Sequence, residues 1–336
     1  MNLDDAALRA GVERALGEAL GAPVTIDSWR RLSGGAIQHN VALDVALRGA
    51  RERWVLRTDA PSTVPASRTR AEEFVLLSVA AAAGVRVPEP LACCEATAEV
   101  PAFFVMRYVD GVAAGHRLTK PRAVRDPDSL ARELGVNLAR IHALRPSQPH
   151  LAFLGEAPAA PTRDLLHAYR DYLDHWRAQF GDAYPALEWG LQWWLVRAPE
   201  HEPVTLVHRD YRTGNYLVHE DRLAATLDWE FAGWGNPLED LGWFCAPCWR
   251  FAAPRMVAGG IADAEAFLEG YNATAGTRHT EADTRPWQAL AQVRWAVIAL
   301  QQCERHLSGR EPSLELALTG RLLPSLERDL LALTPP

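Results

Sequence analysis

Lysine is almost absent from this 336-residue sequence, which contains only Lys120, directly followed by Pro121. The Gly-x-x-x-x-Gly-Lys-Ser/Thr loop that many nucleotide-binding proteins use to hold phosphates requires a lysine in a different setting. That loop therefore cannot exist here. Any role that lysine would play in binding anions must fall to Lys120 or to arginine.

Cysteines and long apolar segments are also scarce. The five cysteines are too few to predict a disulfide framework in a chain of this size; they are Cys93, Cys94, Cys245, Cys248 and Cys303. Cys245 and Cys248 form a Cys-x-x-Cys segment, but no second pair would complete a zinc site, so we expect them to pack. No run approaches the roughly 18 apolar residues that cross a membrane, and the acidic N-terminus does not resemble a signal peptide. We therefore expect a cytoplasmic protein without a membrane partner.

The net charge of −7 argues against a general nucleic-acid binder. The charge is uneven, because residues 163–336 hold 16 Lys and Arg against 24 Asp and Glu. The acidic excess would suit a cationic substrate or metal ions, and a solvated acidic surface would produce the same count.

The spacing of apolar residues changes near residue 107. Before it, the spacing predicts helices at 3–20 and 67–83. It predicts strands that start at 23–26 and that cover 41–47, 53–57, 91–94 and 102–106. After Asp110-Gly111, helical spacing prevails, at 128–144, 162–179, 185–197, 262–275, 284–306 and 312–332. Short strands interrupt it at 204–207, 216–218 and 224–227. The sequence predicts an α+β fold of two lobes, a sheet lobe at 1–107 and a helical lobe at 108–336.

The most informative segment follows the predicted strand 204–207 and reads His208-Arg209-Asp210-Tyr211-Arg212-Thr213-Gly214-Asn215. A later strand ends at Asp228. Phosphoryl transfer depends on positioning and charge neutralisation more than on covalent chemistry. A carboxylate can orient a hydroxyl and take its proton, and Mg²⁺ prefers oxygen ligands, of which the protein usually supplies one or two. Asp210, Asn215 and Asp228 are the groups that such a reaction needs.

This pattern of His-x-Asp-x-x-x-x-Asn, followed by a strand that ends in Asp, resembles the aminoglycoside phosphotransferase and choline-kinase-like family, relatives of the protein kinases. The resemblance covers most of the chain and is specific over 206–243. It implies a two-lobed protein-kinase-like fold, with Asp210 as the catalytic base and Asn215 and Asp228 as Mg²⁺ ligands. By the same resemblance Arg212 contacts the transferred phosphate, although an ion pair with a neighbouring acid is an equal alternative. We expect the tryptophans of this segment to line the acceptor pocket; they are Trp229, Trp234 and Trp243.

The resemblance also implies that the first lobe binds the nucleotide. Ser33-Gly34-Gly35 is similar to the family's glycine-containing phosphate loop, although a plain hairpin turn would look the same. Arg57 stands where kinases usually have a strand lysine, a departure from the family, and Glu73 or Glu72 would pair with it. The segment from Met106 to Val109, which includes Tyr108, looks like the hinge whose backbone binds the purine.

The resemblance implies an ATP- or GTP-dependent enzyme that phosphorylates a hydroxyl of a small molecule. The family's acceptors include aminoglycosides, macrolides, choline, homoserine, sugars and hydroxyacyl-CoA, so the acceptor stays open. One alternative is a catalytically silent nucleotide-binding module, which the missing strand lysine favours and the intact Asp210, Asn215 and Asp228 oppose. Another is a metal-dependent nucleotide hydrolase that has no acceptor.

Overall fold

The computed structural model describes residues 5–32, 38–59 and 67–335. The predicted phosphate loop, Ser33-Gly34-Gly35, lies outside these residues. The helices of the described ranges are α1 (Ala6–Leu20), α2 (Arg70–Ala82), α3 (Gly115–Leu118), α4 (Pro127–His142), α5 (Pro161–Phe180), α6 (Pro185–Leu195), α7 (Pro237–Cys245), α8 (Ala264–Ala275), α9 (Glu281–Leu307), α10 (Leu314–Thr319) and α11 (Leu323–Leu333). The strands are β1 (Val24–Arg31), β2 (Gln38–Leu47), β3 (Ala50–Asp59), β4 (Pro90–Cys94), β5 (Phe103–Arg107), β6 (Thr205–Val207), β7 (Tyr216–His219), β8 (Arg222–Thr226) and β9 (Gly233–Gly235).

The first five strands form one antiparallel sheet in the order β1-β2-β3-β5-β4. Side chains alternate between its two faces, as the two-residue period of a strand requires. On β3, Trp54 and Leu56 pack into the apolar cluster that contains α1, whereas Val55 packs into the cluster that contains α2. Arg57 has the same parity as Val55, so the geometry of the strand directs it toward α2.

Helix α2 turns a specific set of residues toward the sheet. A capping box of Thr69 and Glu72 begins the helix. Its buried positions include Glu73, Leu76, Leu77 and Ala80, spaced at i, i+3, i+4 and i+7. Glu73 therefore lies on the same stripe as the core leucines, and Glu72 is left at the N-terminus. Of the two glutamates, Glu73 can therefore reach Arg57, whereas Glu72 caps the helix.

The remainder of the chain is mainly helical, with two small antiparallel pairs, β6–β9 and β7–β8. The predicted strands 204–207, 216–218 and 224–227 correspond to β6, β7 and β8. Strand β9 was not predicted, because Gly-Trp-Gly has no strand-like alternation. The predicted helix 312–332 is wrong as a single element, since it is divided into α10 and α11 around 320–322. Pro324 occupies the first turn of α11, where its missing N–H costs nothing.

The predicted division into lobes at residue 107 stays a prediction, although β5 ends at Arg107. No helix in the described part of the chain combines the length and the apolar character of a membrane span.

Candidate active site

The loop between β6 and β7 carries the predicted catalytic residues, and a buried carboxylate holds it. Asp240, in the first turn of α7, accepts hydrogen bonds from the backbone N–H groups of His208 (2.6 Å) and Arg209 (2.7 Å). The oxygen that accepts from His208, Oδ2, also contacts His142 Nε2 at 3.1 Å. Arg209 has a left-handed φ of 65°, which is unfavourable for a non-glycine residue, so the loop needs this external support.

His208 is a structural part of the loop, as predicted. Its Nδ1 accepts the backbone N–H of Asp210 at 3.2 Å, so the ring proton lies on Nε2, which is 3.0 Å from the carbonyl oxygen of Leu227. Burial lowers the pKa of His208 and favours this neutral form. The side chain thereby ties the Asp210 loop to the segment that carries Asp228.

Replacing Asp240 with asparagine should cost about 3–5 kcal/mol of folding free energy, because it leaves buried donors unpaired and removes a fully buried charge. Burial alone would raise the pKa of Asp240, but the hydrogen bonds from His142 and from the loop hold it below its usual value. Because the pKa of Asp240 is lower in the folded protein than in the unfolded one, its carboxylate stabilises the fold above the unfolded pKa of about 3.9. This stabilisation is lost as the pH falls toward the folded pKa. Denaturant unfolding at pH 7 and at pH 3 measures this, and the difference between wild type and Asp240→Asn should shrink at pH 3. The exposed Asp128→Asn is the control, and an equal loss in both variants would contradict the anchoring role.

Asp210 is held by three side-chain donors. Its Oδ1 accepts from Arg212 Nε and from Trp243 Nε1, each at 3.0 Å, and its Oδ2 accepts from Asn215 Nδ2. A carboxylate offers about four lone-pair positions. One position is therefore left for the hydroxyl of a substrate, and the direction of the carboxylate is fixed.

Arg212 forms the ion pair that was one of its two predicted alternatives. It contacts Asp210, and its guanidinium stacks 4.4 Å from the ring centroid of Trp249. Of the three predicted wall tryptophans, Trp243 contacts Asp210, and Trp229 packs on His208 and lines the cavity that also contains Asp228. Trp234 donates its indole N–H to the carbonyl of Gly155, and the acceptor-pocket role of all three stays a prediction.

Arg57 reaches both lobes of the molecule. Its guanidinium contacts Glu73 at 2.9 Å and Asp228 Oδ1 at 2.7 Å, while Glu72 instead binds the N–H of Thr69 at 2.9 Å. Burial alone would lower the pKa of Arg57, but the negative charges of Glu73 and Asp228 raise it. The arginine is therefore a permanent cation that joins the sheet, α2 and the Asp228 segment.

Asp228 lies close to Asn215 at the junction between β7 and the segment after β8. The N–H of Leu227 donates to the carbonyl of Asn215 at 2.7 Å, which fixes the two segments side by side. Asp228 has a left-handed φ of 67°, an uncommon conformation that aims its side chain at the cleft. Burial would raise the pKa of Asp228, and the contact with Arg57 outweighs this, so the pKa lies below its usual value and the side chain is a carboxylate at neutral pH.

One cavity of about 580 Å³ collects most of the predicted residues. Its lining includes Arg57, Glu73, Met106, Tyr108, Asn215 and Asp228. Asp210 and Arg212 are not part of the lining and lie beside it, next to Asn215. The volume is in the range of small-molecule and cofactor sites.

The predicted hinge has limited hydrogen-bonding capacity. The backbone N–H of Arg107 donates to the carbonyl of Glu89 at 2.8 Å, and that of Tyr108 donates to the carbonyl of Arg53 at 2.9 Å. Neither N–H group is therefore free for a purine. Val109 also lines the cavity, and its backbone has no backbone partner among the described residues. If this segment binds a base, Val109 has the available groups.

Glu230 was given no role by the sequence, although it follows Asp228 by two residues. Its Oε2 accepts from Gln38 Nε2 at 3.0 Å and from Ser67 Oγ at 2.6 Å, and its carbonyl accepts the N–H of Arg68 at 2.8 Å. Burial and the charge of Asp228 raise the pKa of Glu230. Glu230 thus fastens the sheet and the entry to α2 to the Asp228 segment.

A magnesium ion fits the donor set of Asn215 and Asp228. In the ranges that the structure covers, no group of three or more His, Cys, Asp or Glu side chains could hold a metal. Mg²⁺ differs from most protein-bound metals because it usually takes one or two protein ligands and completes its shell with phosphates and water. Asn215 and Asp228 can supply one neutral and one anionic oxygen on the same wall of the cavity.

The cysteines match the packing role expected for them. Both Cys245 and Cys248 are free thiols, and burial raises the pKa of each, to about 12 for Cys245. A thiol with a raised pKa is a poor nucleophile and a poor metal ligand at neutral pH.

Residues 28–306 match the sequence model of the phosphotransferase enzyme family. The chain belongs to this family. Among curated proteins, it is similar to acyl-CoA dehydrogenase family member 10 of Mus musculus, with 25% identity over 293 residues. That match covers 83% of this chain and 27% of the relative, so this phosphotransferase-family chain spans less than a third of the relative's length.

Two solved structures show the fold. A candidate aminoglycoside phosphotransferase from Ralstonia eutropha is similar with a TM-score of 0.73 and 21% identity, over 98% of this chain and 97% of that chain. A thermostable mutant of aminoglycoside phosphotransferase APH(4)-Ia, in a ternary complex with AMP-PNP and hygromycin B, is similar with a TM-score of 0.63 and 19% identity. That match covers 95% of this chain and 98% of the other. The predicted family and the predicted two-lobed kinase-like fold are confirmed.

Proposed function

We propose that the protein transfers the γ-phosphoryl group of ATP or GTP to a hydroxyl of a small molecule. The observation that carries this proposal is that Asn215 and Asp228 lie on the wall of the nucleotide-sized cavity while Asn215 also binds Asp210. In this proposal residues 1–107 bind the nucleotide, and residues 108–336 carry the catalytic loop and the acceptor site.

Asp210 acts as the catalytic base in this reaction. Its three donors leave one lone-pair position, which accepts the hydrogen bond of the acceptor hydroxyl and then its proton. Asn215 and Asp228 would hold Mg²⁺, which when bound would neutralise charge on the phosphates. Because Asn215 lines the cavity and also binds Asp210, it would fix the proposed base relative to the phosphates.

Arg57 replaces the usual strand lysine as the cation that binds the phosphates. Its side chain lines the cavity, and Glu73 and Asp228 hold it in place. The purine lies against the hinge, where the backbone of Val109 has free groups. The ternary complex of APH(4)-Ia contains the nucleotide analogue AMP-PNP, which supports a nucleoside triphosphate as the phosphate donor.

Changing Arg57 should weaken nucleotide binding in proportion to the contacts that are lost. Arg57→Lys keeps the charge but lacks the fork that reaches Glu73 and Asp228 together, so we expect about a tenfold higher Kd for AMP-PNP, or about 1.4 kcal/mol. Arg57→Met removes the charge together with the contacts to Glu73 and Asp228, and it should raise the Kd at least about 100-fold. Isothermal titration calorimetry measures both. Arg51→Lys, an exposed arginine on the same strand, is the matched control, and an unchanged Kd in Arg57→Met would remove Arg57 from the phosphate site.

The surroundings of Asp210 favour a neutral or anionic acceptor. Arg212 stacks on Trp249, and Arg294 lies 4.7 Å from the ring centroid of Trp243, the tryptophan that binds Asp210. A cation paired with the proposed base and a second cation on the tryptophan that binds it disfavour a polycationic aminoglycoside, despite the acidic total charge of the second half of the chain. A hydroxyacyl-CoA carries phosphates, and the similarity to a protein named acyl-CoA dehydrogenase family member 10 gives it a place among the candidates.

The test is an acceptor screen read by mass spectrometry as the addition of one phosphate. Purified protein with Mg²⁺ and ATP or GTP is incubated with hydroxyacyl-CoA thioesters, sugars, homoserine, choline, macrolides and aminoglycosides. We expect phosphate transfer that depends on one acceptor class. Nucleotide loss without any acceptor would instead support a hydrolase, and tight nucleotide binding without turnover would support a silent binding module.

A further inference from the structure

Two arginines from different parts of the chain converge over Gly233. Arg68 precedes α2 in the sheet lobe, and Arg209 belongs to the catalytic loop. A methyl group placed on Gly233 would lie 3.1 Å from Arg209 Nη1 and 3.3 Å from Arg68 Nη2. Two guanidinium groups therefore approach the same point on β9, where a side chain larger than hydrogen would crowd them.

This pair of like charges has no acidic partner. Arg68 Nε donates to the carbonyl of Ala232 at 3.1 Å and Arg209 Nη2 to the carbonyl of Trp234 at 2.7 Å, but neither arginine forms an ion pair in the described part of the chain. Two neighbouring glutamates are engaged at the N-termini of helices, and Asp240 accepts the backbone N–H of Arg209. Glu72 accepts the N–H of Thr69 at 2.9 Å, and Glu239 accepts the N–H of Asn236 at 3.0 Å.

The arrangement is costly unless an anion completes it. Arg209 Nε is buried and has no hydrogen-bond partner. An unpaired buried donor destabilises a fold, and the cost is larger when the donor belongs to a charged group than when it belongs to a neutral group. Burial lowers the pKa of Arg68; the charge of Glu72 opposes this, and the charge of Arg209 adds to it. Both guanidinium groups would gain if a negative group occupied the space over Gly233.

We propose that Arg68, Arg209 and Gly233 form a binding site for a phosphate-type oxyanion. Arginine forks match the spacing of phosphate oxygens, and two cations suit a group with nearly two negative charges. None of the three residues lines the cavity that holds Arg57 and Asp228, so this site is separate from the nucleotide site. The inference goes beyond the proposed reaction and does not depend on it.

A bound oxyanion would connect the lobes at a sensitive position. Arg68 is joined through its backbone to Glu230 and stands two residues before α2, which carries Glu73. Arg209 is directly followed by Asp210. The anion would therefore brace the helix that positions Arg57 against the loop that positions the proposed base.

The test is calorimetric titration of inorganic phosphate, and separately of glycerol 3-phosphate, into protein saturated with Mg²⁺ and AMP-PNP. Saturation blocks phosphate binding at the position of the γ-phosphate, and sodium chloride keeps the ionic strength constant. We expect binding with a Kd of about 1 mM or lower, and a Kd at least tenfold higher in Arg68→Gln. The probe with the lower Kd tells whether the site takes free phosphate or a phosphomonoester.

Gly233→Ala is the second variant, because its methyl group fills the same space without removing a charge. It should also raise the Kd at least tenfold, while the surface variant Arg132→Gln should not. Circular dichroism and an AMP-PNP affinity within about twofold of the wild type would show that the variants are folded. Absence of binding by the wild type, or equal binding by wild type and Arg68→Gln, would overturn the proposal.

Discussion

Asp210→Asn should lower the rate of phosphate transfer by about 10²–10⁴-fold while the Kd for AMP-PNP stays within about twofold. An amide has nearly the shape of a carboxylate but cannot accept the proton of the acceptor hydroxyl. The hydrogen bond from Asn215 to Oδ2 is lost, because the new N–H₂ group faces another donor. Those from Arg212 and Trp243 to Oδ1 can persist in the variant, so the loop should stay folded. The loss would then reflect proton transfer and not misfolding.

The measurement is single-turnover transfer to the acceptor found in the screen, together with calorimetric binding of AMP-PNP. Asp221→Asn, on the turn between β7 and β8 and paired only with the exposed Arg125, provides a control with the same chemical change. Its rate should equal that of the wild type. If Asp210→Asn also transfers phosphate at the wild-type rate, Asp210 is not the base and another group must orient the hydroxyl.

The local spacing of the sequence was enough to predict that Asp210, Asn215 and Asp228 lie together. Asp210 and Asn215 share one loop, and the strand pair β7–β8 brings Asp228 beside them, so a short-range pattern encodes their proximity. Arg57 was singled out by the resemblance to the strand lysine of kinases, and its parity on β3 directs it to the face that α2 covers. The choice of Glu73 over Glu72 needed the register of α2, which the structure provides.

Contacts between distant segments could not be predicted from local spacing. Trp243 donates to Asp210 across 33 positions, and Gln38 binds Glu230 across 192. No local period relates such pairs, because tertiary packing alone brings them together. The contact of Arg57 with Asp228 belongs to the same class, and it joins the two halves of the site.

Neighbourhood in the sequence does not by itself give a side chain one role. Trp229 and Trp234 lie near Asp228 in sequence and were expected at the acceptor pocket, and large apolar rings in such a segment also form its supporting core. Here Trp229 packs on His208 and so helps to hold the loop. The helix at 312–332 was predicted as one element because apolar spacing continues through 320–322, where the backbone tightens into a 3-10 turn.

Asp228→Asn is expected to have the second large effect, a fall in the rate of transfer of about 10²–10³-fold, the size seen when one electrostatic contact to a transition state is lost. Asparagine can still accept the hydrogen bond of Arg57, so the Arg57–Glu73 pair should stay in place.

The missing negative charge should act on the metal, because Mg²⁺ prefers anionic oxygen. We therefore expect the Mg²⁺ concentration for half-maximal AMP-PNP binding to rise at least about tenfold, whereas binding without Mg²⁺ should be unchanged or slightly stronger, since one negative charge near the phosphates is removed. Titration of Mg²⁺ at fixed AMP-PNP separates these effects, with Asp44→Asn on the exposed face of β2 as the control. A variant that keeps the Mg²⁺ dependence of the wild type would show that Asp228 acts through Arg57 alone.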